Sequence, residues 1–179
     1  MASDNDAAQE KTGLIRRLVL MRHAKSDWSI SGGDHARPLN LRGRLAAPLM
    51  GAWLAEQPWS VDLAVVSSAV RTQETWARLS PALLAQSGRA PAMRTAPDLY
   101  EAEPDAIEAV IRKSPQDART VLLLGHNPGI ETYAARLAGA GLRFPTAAIA
   151  VFQLDAPAWT DAQPGRLRLE AFEQPKSLI

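Results

Sequence analysis

Two of the three histidines in this sequence stand directly behind apolar runs. Leu18-Val19-Leu20-Met21 runs into Arg22-His23, and Thr120-Val121-Leu122-Leu123-Leu124 runs into Gly125-His126-Asn127-Pro128-Gly129. A third run, Asp62-Leu63-Ala64-Val65-Val66, exits into Ser67-Ser68, with Arg71 shortly after. A neutral imidazole can act as a nucleophile or carry a proton. Guanidinium forks match the oxygens of a phosphate group. Gathered at one place, these residues suit chemistry on a phosphate-like anion.

Each feature alone has an ordinary structural explanation. A histidine at a strand end is commonly structural, and an arginine in a first helical turn commonly faces solvent. Their convergence carries the reading, because ligands of open α/β sheets bind outside the carboxyl ends of the strands. If Ser68 caps the next helix, Arg71 falls in its first turn, where positive charge opposes the helix dipole. An anion between the two arginines resolves that conflict. Asn127 is a good cap and Pro128 a good first helical residue, so backbone N–H groups of the next helix are expected to face the same place. A metal site built from His23, His126 and His35 is the chemical competitor. Arg22 and Arg71 would repel a divalent cation from that rim.

The elements that position these residues follow from hydrophobic pattern. The three continuous apolar runs suit parallel strands buried on both faces. Residues 147–154 and 167–172 read as further strands, with a short one near Met93. Helical patterns fall between them. Leu45, Leu49, Trp53 and Leu54 share one face of the first, which contains Pro48 and should be kinked there. Residues 69–85, 105–113 and 128–137 give three more. Residues 29–38 read as a polar loop, and 81–97 as loop-rich. The expected fold class is α/β: a three-layer α/β/α sandwich with a mainly parallel sheet and an antiparallel edge strand. One domain is expected over 17–173, with a flexible N-terminal tail over 1–16 and a C-terminal tail over 174–179.

The 179 residues suffice for one core, and 46% hydrophobic with 22% charged residues is a globular balance. Lys plus Arg number 20 against 19 Asp plus Glu, so the net charge of +1 points away from nucleic acid and membrane surfaces. There is no cysteine, which excludes thiolate catalysis and disulfides. With no apolar leader or membrane-length run, a cytoplasmic location is expected.

Taken together, Leu20-Met21-Arg22-His23-Ala24 resembles the Arg-His signature of the histidine phosphatase superfamily. Residues 67–75 are similar to its second motif and 125–129 to its third. Arg37-Pro38-Leu39-Asn40-Leu41-Arg42-Gly43 is similar to its loop before the first long helix. The resemblance runs from about Arg17 to Leu154, and the compact chain looks most like the SixA-type phosphohistidine phosphatases. It implies His23 as nucleophile, with Arg22, Arg71 and His126 holding the phosphoryl oxygens. Glu101, in Leu99-Tyr100-Glu101, stands where the family keeps a general acid, and Glu103 and Asp105 are nearby alternatives. Asn127, Lys25 and Arg37 are further substrate-binding candidates; Lys25 either adds charge to the site or faces solvent. Ala24-Lys25-Ser26 departs from the Gly and polar pair that commonly follow the histidine. No metal and no organic cofactor are implied. The implied partner is a phosphorylated protein or a small phosphorylated molecule. A small-ester phosphatase and a silent phosphate-binding module are the alternatives.

Overall fold

The computed structural model describes residues 15–179. Residues 1–14, nearly all of the expected N-terminal tail, lie outside the described residues. Six strands form one sheet: β1 (Arg16–Arg22), β2 (Leu63–Ser67), β3 (Ala92–Ala96), β4 (Thr120–Gly125), β5 (Ile149–Leu154) and β6 (Leu167–Glu173), in the order β3-β2-β4-β1-β5-β6. The pairs β1–β4, β2–β4 and β2–β3 are parallel, whereas β1–β5 and β5–β6 are antiparallel. The sheet is thus mainly parallel with antiparallel pairing at one edge, and β5 is the strand that runs against the rest.

Alternation within the strands divides the core. Leu18, Leu20, Val121 and Leu123 face one side, with Ile107, Val110, Ile130 and Tyr133. Val19, Met21, Leu122 and Leu124 face the other, with Ala47, Met50, Leu54 and Leu79. Helices α3 (Pro104–Arg112) and α4 (Gly129–Ala138) cover the first face. Helices α1 (Leu41–Ala55) and α2 (Val70–Ser87) cover the second. This is the expected α/β/α sandwich, and strands buried on both faces explain the unbroken apolar runs.

Three local expectations differ. Helix α1 buries Gly43, Ala47, Met50, Gly51 and Leu54, while Leu45 is 67% exposed. It packs so closely on α2 that a Cβ at Gly51 would lie 2.5 Å from the Leu79 carbonyl oxygen, so glycine and alanine share the inward face with Met50 and Leu54, while Leu45 is left outside it. Helix α1 also continues unbroken through Pro48, which sits on its exposed side. Helix α2 likewise runs through Pro81 to Ser87, ending at Gly88 in the left-handed region. Burial of Leu79 and Leu83 on either side of Pro81 outweighs the lost hydrogen bond. The loop expected over 81–97 therefore shrinks to 88–91 between α2 and β3.

The two ends of the described residues are also tied in. Strand β1 begins at Arg16, whose guanidinium donates to the carbonyls of Pro157 and Ala118. In the expected C-terminal tail, Pro175–Leu178 forms a 3-10 turn, with Leu178 against the α1–α2 side of the core. Among the described residues, no helix is long and apolar enough to cross a membrane.

Candidate active site

The carboxyl ends of β1, β2 and β4 meet at one cavity of about 450 Å³. Its wall includes Arg22, His23, Lys25, Arg37, Arg71, Glu101, Glu103, His126 and Asn127. The candidate site residues named from the sequence therefore line one space, except His35 and Asp105, the latter exposed and paired with Arg136. Asp34, which sequence reasoning passed over, joins them.

His23 is pinned by its backbone and its ring. Its N–H donates to the Gly125 carbonyl at 3.1 Å, and its own carbonyl accepts from Ala147 N–H at 3.0 Å. The Nδ1 atom lies 2.7 Å from the Ala24 carbonyl, which accepts only if Nδ1 carries the proton. Nε2 is then the unprotonated nitrogen. Burial pushes the imidazole pKa down to about 3, and the Ala24 carbonyl opposes that while His126, Arg71 and Arg22 add to it. The ring is neutral at physiological pH.

His126 follows β4, with its ring centroid 5.1 Å from that of His23. Its Nε2 lies 2.7 Å from Ser67 Oγ, and its buried Nδ1 has no protein partner. Burial first, then Arg71, lowers its pKa to about 4, against the pull of Asp34. Arg22 extends from the end of β1 and donates to the Phe144 carbonyl at 2.9 Å.

Arg71 stands in the first turn of α2, as expected, but Ser68 is not the cap. Ala69 holds that position with no side-chain hydrogen bond, and the Ser68 hydroxyl is 2.9 Å from Nε2 of His35. The anion that the helix start calls for is supplied by the protein. Arg71 donates through Nη2 to Asp34 Oδ2 at 2.9 Å and through Nη1 to the Asp34 carbonyl at 2.6 Å. Asp34 Oδ2 also accepts from the Tyr100 hydroxyl at 2.8 Å, and its Oδ1 accepts from Arg37. Partial burial pushes the Asp34 carboxyl up, and these hydrogen bonds more than reverse it, holding it well below the usual carboxylate range.

The outer wall is less committed to one role. Arg37 is buried, donates to Ser26 Oγ at 2.7 Å and stacks 3.5 Å over the exposed Trp28 ring, so much of it secures the loop. Lys25 is exposed at the rim. Asn127 is not the cap of α4, because the cap position falls on Pro128. The Asn127 side-chain amide donates to the Phe144 carbonyl and to Glu131, which ties the β4 exit to the chain before β5. The first ordered N–H groups of α4 are partly spent as well, since Ile130 N–H donates to the His126 carbonyl. Glu101 has φ of 53°, a left-handed conformation that costs a non-glycine residue about 1–2 kcal/mol. Such strain is retained where the surrounding structure enforces it, commonly at functional sites.

Comparison with known proteins covers the same strand exits. The profile of the histidine phosphatase superfamily (branch 1) matches residues 18–103, which hold Arg22, His23, Arg71 and Glu101. An uncharacterized chloroplastic protein of Arabidopsis thaliana is 32% identical over 183 residues, covering 97% of this chain and 84% of the relative. An uncharacterized protein of Mycobacterium tuberculosis is 34% identical over 167 residues, covering 87% and 100%. Among solved structures, a Nakamurella multipartitia protein named for the phosphohistidine phosphatase SixA aligns with a TM-score of 0.76 and 33% identity, covering 90% of this chain and 96% of that one. The protein histidine phosphatase SixA complexed with tungstate aligns with a TM-score of 0.77 at 22% identity, covering 91% and 99%, a likeness of fold. The shared third of the sequence spans nearly the whole length of these relatives, and the chain belongs to the histidine phosphatase superfamily, on its SixA-type branch.

Proposed function

We propose that this protein hydrolyses phosphoryl groups through a covalent phosphohistidine on His23, acting on phosphohistidine in proteins. The observation that carries the reading is the His23 ring itself: Nδ1 anchored on Ala24, Nε2 free, and the whole imidazole neutral within a cavity lined by three arginines. In the reaction, the Nε2 lone pair attacks phosphorus in line. The bond from phosphorus to the leaving nitrogen breaks, and that nitrogen keeps the electron pair and takes a proton. Arg22, Arg71 and the Nδ1 proton of His126 hold the phosphoryl oxygens while charge moves across them. Water then attacks phosphorus, which returns Nε2 to His23 and releases inorganic phosphate.

An imidazole leaves phosphorus more readily than an alkoxide does, so a protein phosphohistidine places little demand on a general acid. The rim suits a protein substrate, because Trp28 in the cavity wall is 74% exposed. A second reading, a phosphatase for a small phosphate ester, draws support from Glu101 and Glu103 in the cavity wall, where a carboxylic acid could protonate an alkoxide.

One experiment tests both readings. A phosphohistidine protein and a panel of phosphate esters are turned over side by side by wild type, His23→Ala and Glu101→Gln. The expected outcome is an acid-labile phosphoenzyme mapped to position 23, no turnover by His23→Ala, and phosphohistidine turnover by Glu101→Gln within about 3-fold of wild type. Loss of general acid catalysis is worth about 10²–10⁴-fold. A drop of that size on esters, with esters the better substrates, would establish the second reading. Tight phosphate binding with no phosphoenzyme would leave only a binding module.

A further inference from the structure

A carboxylate inside an anion site needs a reason, since it competes for the charge that the substrate would use. Asp34 sits 42% exposed in the loop before α1 and spends itself on the site's own donors. It accepts from both Nη atoms of Arg71, one through its carbonyl and one through Oδ2. Oδ1 accepts from Arg37, whose other Nη is held by Ser26. Oδ2 also accepts from Tyr100, whose ring meets His126 edge-on at 5.6 Å between centroids. The loop carrying Asp34 is anchored on the start of α2, where Val70 N–H donates to the His35 carbonyl at 3.0 Å. Arg71 is only 4% exposed, yet its Nε has no partner. A guanidinium has five N–H donors in a fixed fork. Arg71 lines the cavity, and with both Nη atoms held on Asp34 the orientation of the whole guanidinium is set, including the second N–H of each Nη.

We infer that Asp34 is a positioning residue for the phosphatase reaction: it clamps the Arg71 guanidinium so that its remaining donors meet the phosphoryl group without reorganisation. The inference rests on the proposed function of the same cavity. It explains why the acid is tolerated. An unclamped arginine keeps side-chain entropy that must be lost in the transition state. A donor displaced by about 1 Å can cost about 10²-fold in rate. Besides the Arg71 bonds, the loop is tied to α2 by Val70 N–H on the His35 carbonyl and by Leu39 N–H on the Glu74 carboxylate, so the contact belongs to the folded site and not to a swinging competitor.

The test is a double-mutant cycle with a spectroscopic arm. Asp34→Asn, Asp34→Ala, Arg71→Ala and the double variants are assayed for kcat and KM, with melting temperature measured for each. Asp34→Asn keeps the shape if Asp34→Ala fails to fold. The expected result is a fall in kcat of about 10- to 100-fold for Asp34→Asn, with KM within about 3-fold. In the Arg71→Ala background the same change should cost less than about 2-fold. By NMR, the Arg71 Nη resonances, separated by hindered rotation in wild type, should merge in Asp34→Asn. Faster turnover and tighter inhibition by inorganic phosphate in Asp34→Asn would overturn the clamp and make Asp34 a competing anion. An equal loss in the Arg71→Ala background, or Nη resonances that stay separated, would also overturn it. Wild type that turns over no substrate sinks the proposed function instead, and the NMR arm still decides the clamp.

Discussion

The Ser67 hydroxyl stands 2.7 Å from Nε2 of His126 and has a single proton to give. The proposed reaction needs the tautomer in which Ser67 gives that proton to Nε2, with Ala69 N–H approaching Oγ at 3.5 Å as a donor. A neutral His126 then carries its own proton on Nδ1, the buried atom without a protein partner. In that tautomer Ser67 makes His126 a donor toward the anion of the proposed reaction. Ser67→Ala should lower kcat/KM about 10-fold, the value of one hydrogen bond of roughly 1.4 kcal/mol. Its ¹⁵N imidazole spectrum should show mixed tautomers at His126, whereas wild type shows the Nδ1–H form alone. Arg22, His23, Arg71 and His126 were legible in the sequence because each follows an apolar run whose exit is predictable. Asp34 and Tyr100 were not, because their bonds reach across 37 and 66 residues that only the fold brings together. The one local hint was the acid three residues before Arg37, to which it is paired.

At the scale of elements, close backbone approach decides what the hydrophobic pattern alone could not. The apolar runs named five of the six strands well and hinted at the sixth near Met93. The same logic misplaced part of the buried face of α1: Leu54 is buried, but Leu45 lies outside, since a leucine stripe marks burial only where there is room for leucine. Glycine marks the places without room. A Cβ at Gly43 would meet the Lys25 carbonyl, and one at Gly129 would meet the Ala102 carbonyl. Both carbonyls flank the cavity, so α1 and α4 press directly on the segments that carry it. Gly129→Ala should destabilise the protein by about 1–3 kcal/mol, the usual range for overpacking. Urea unfolding measures that cost. Because Ala102 adjoins Glu101, the ester turnover that depends on Glu101 should fall in the same variant by more than phosphohistidine turnover does. The proline rule failed at Pro81 for a related reason: tertiary burial of a helix outweighs a local cost of about 3 kcal/mol.

For the molecule as a whole, two neutral histidines make stability depend on pH. Their folded pKa values, about 3 for His23 and about 4 for His126, lie below the ordinary 6.5. Above about pH 6.5 neither state binds the protons and the contribution is fully present. Below it the unfolded chain takes up protons first, so stability falls as pH drops toward the folded values. The Asp34 carboxyl adds a loss of the same sign at lower pH, since its folded pKa is also depressed. The unfolding free energy should therefore decline from about pH 6.5 to 4, and more gently in a His23→Asn, His126→Asn double variant, whose side chains do not titrate there. A decline of equal steepness in both proteins would place the acid sensitivity elsewhere. The reversed course of β5 has a separate consequence. Because that strand enters the sheet where its neighbours leave it, the segment after α4 arrives beside the cavity, with Phe144 holding Arg22 and Thr146 in the wall. Upstream of Phe144, the exposed stretch around Gly139 and Gly141 is a seam where the chain could lengthen into a canopy without disturbing a single strand pairing.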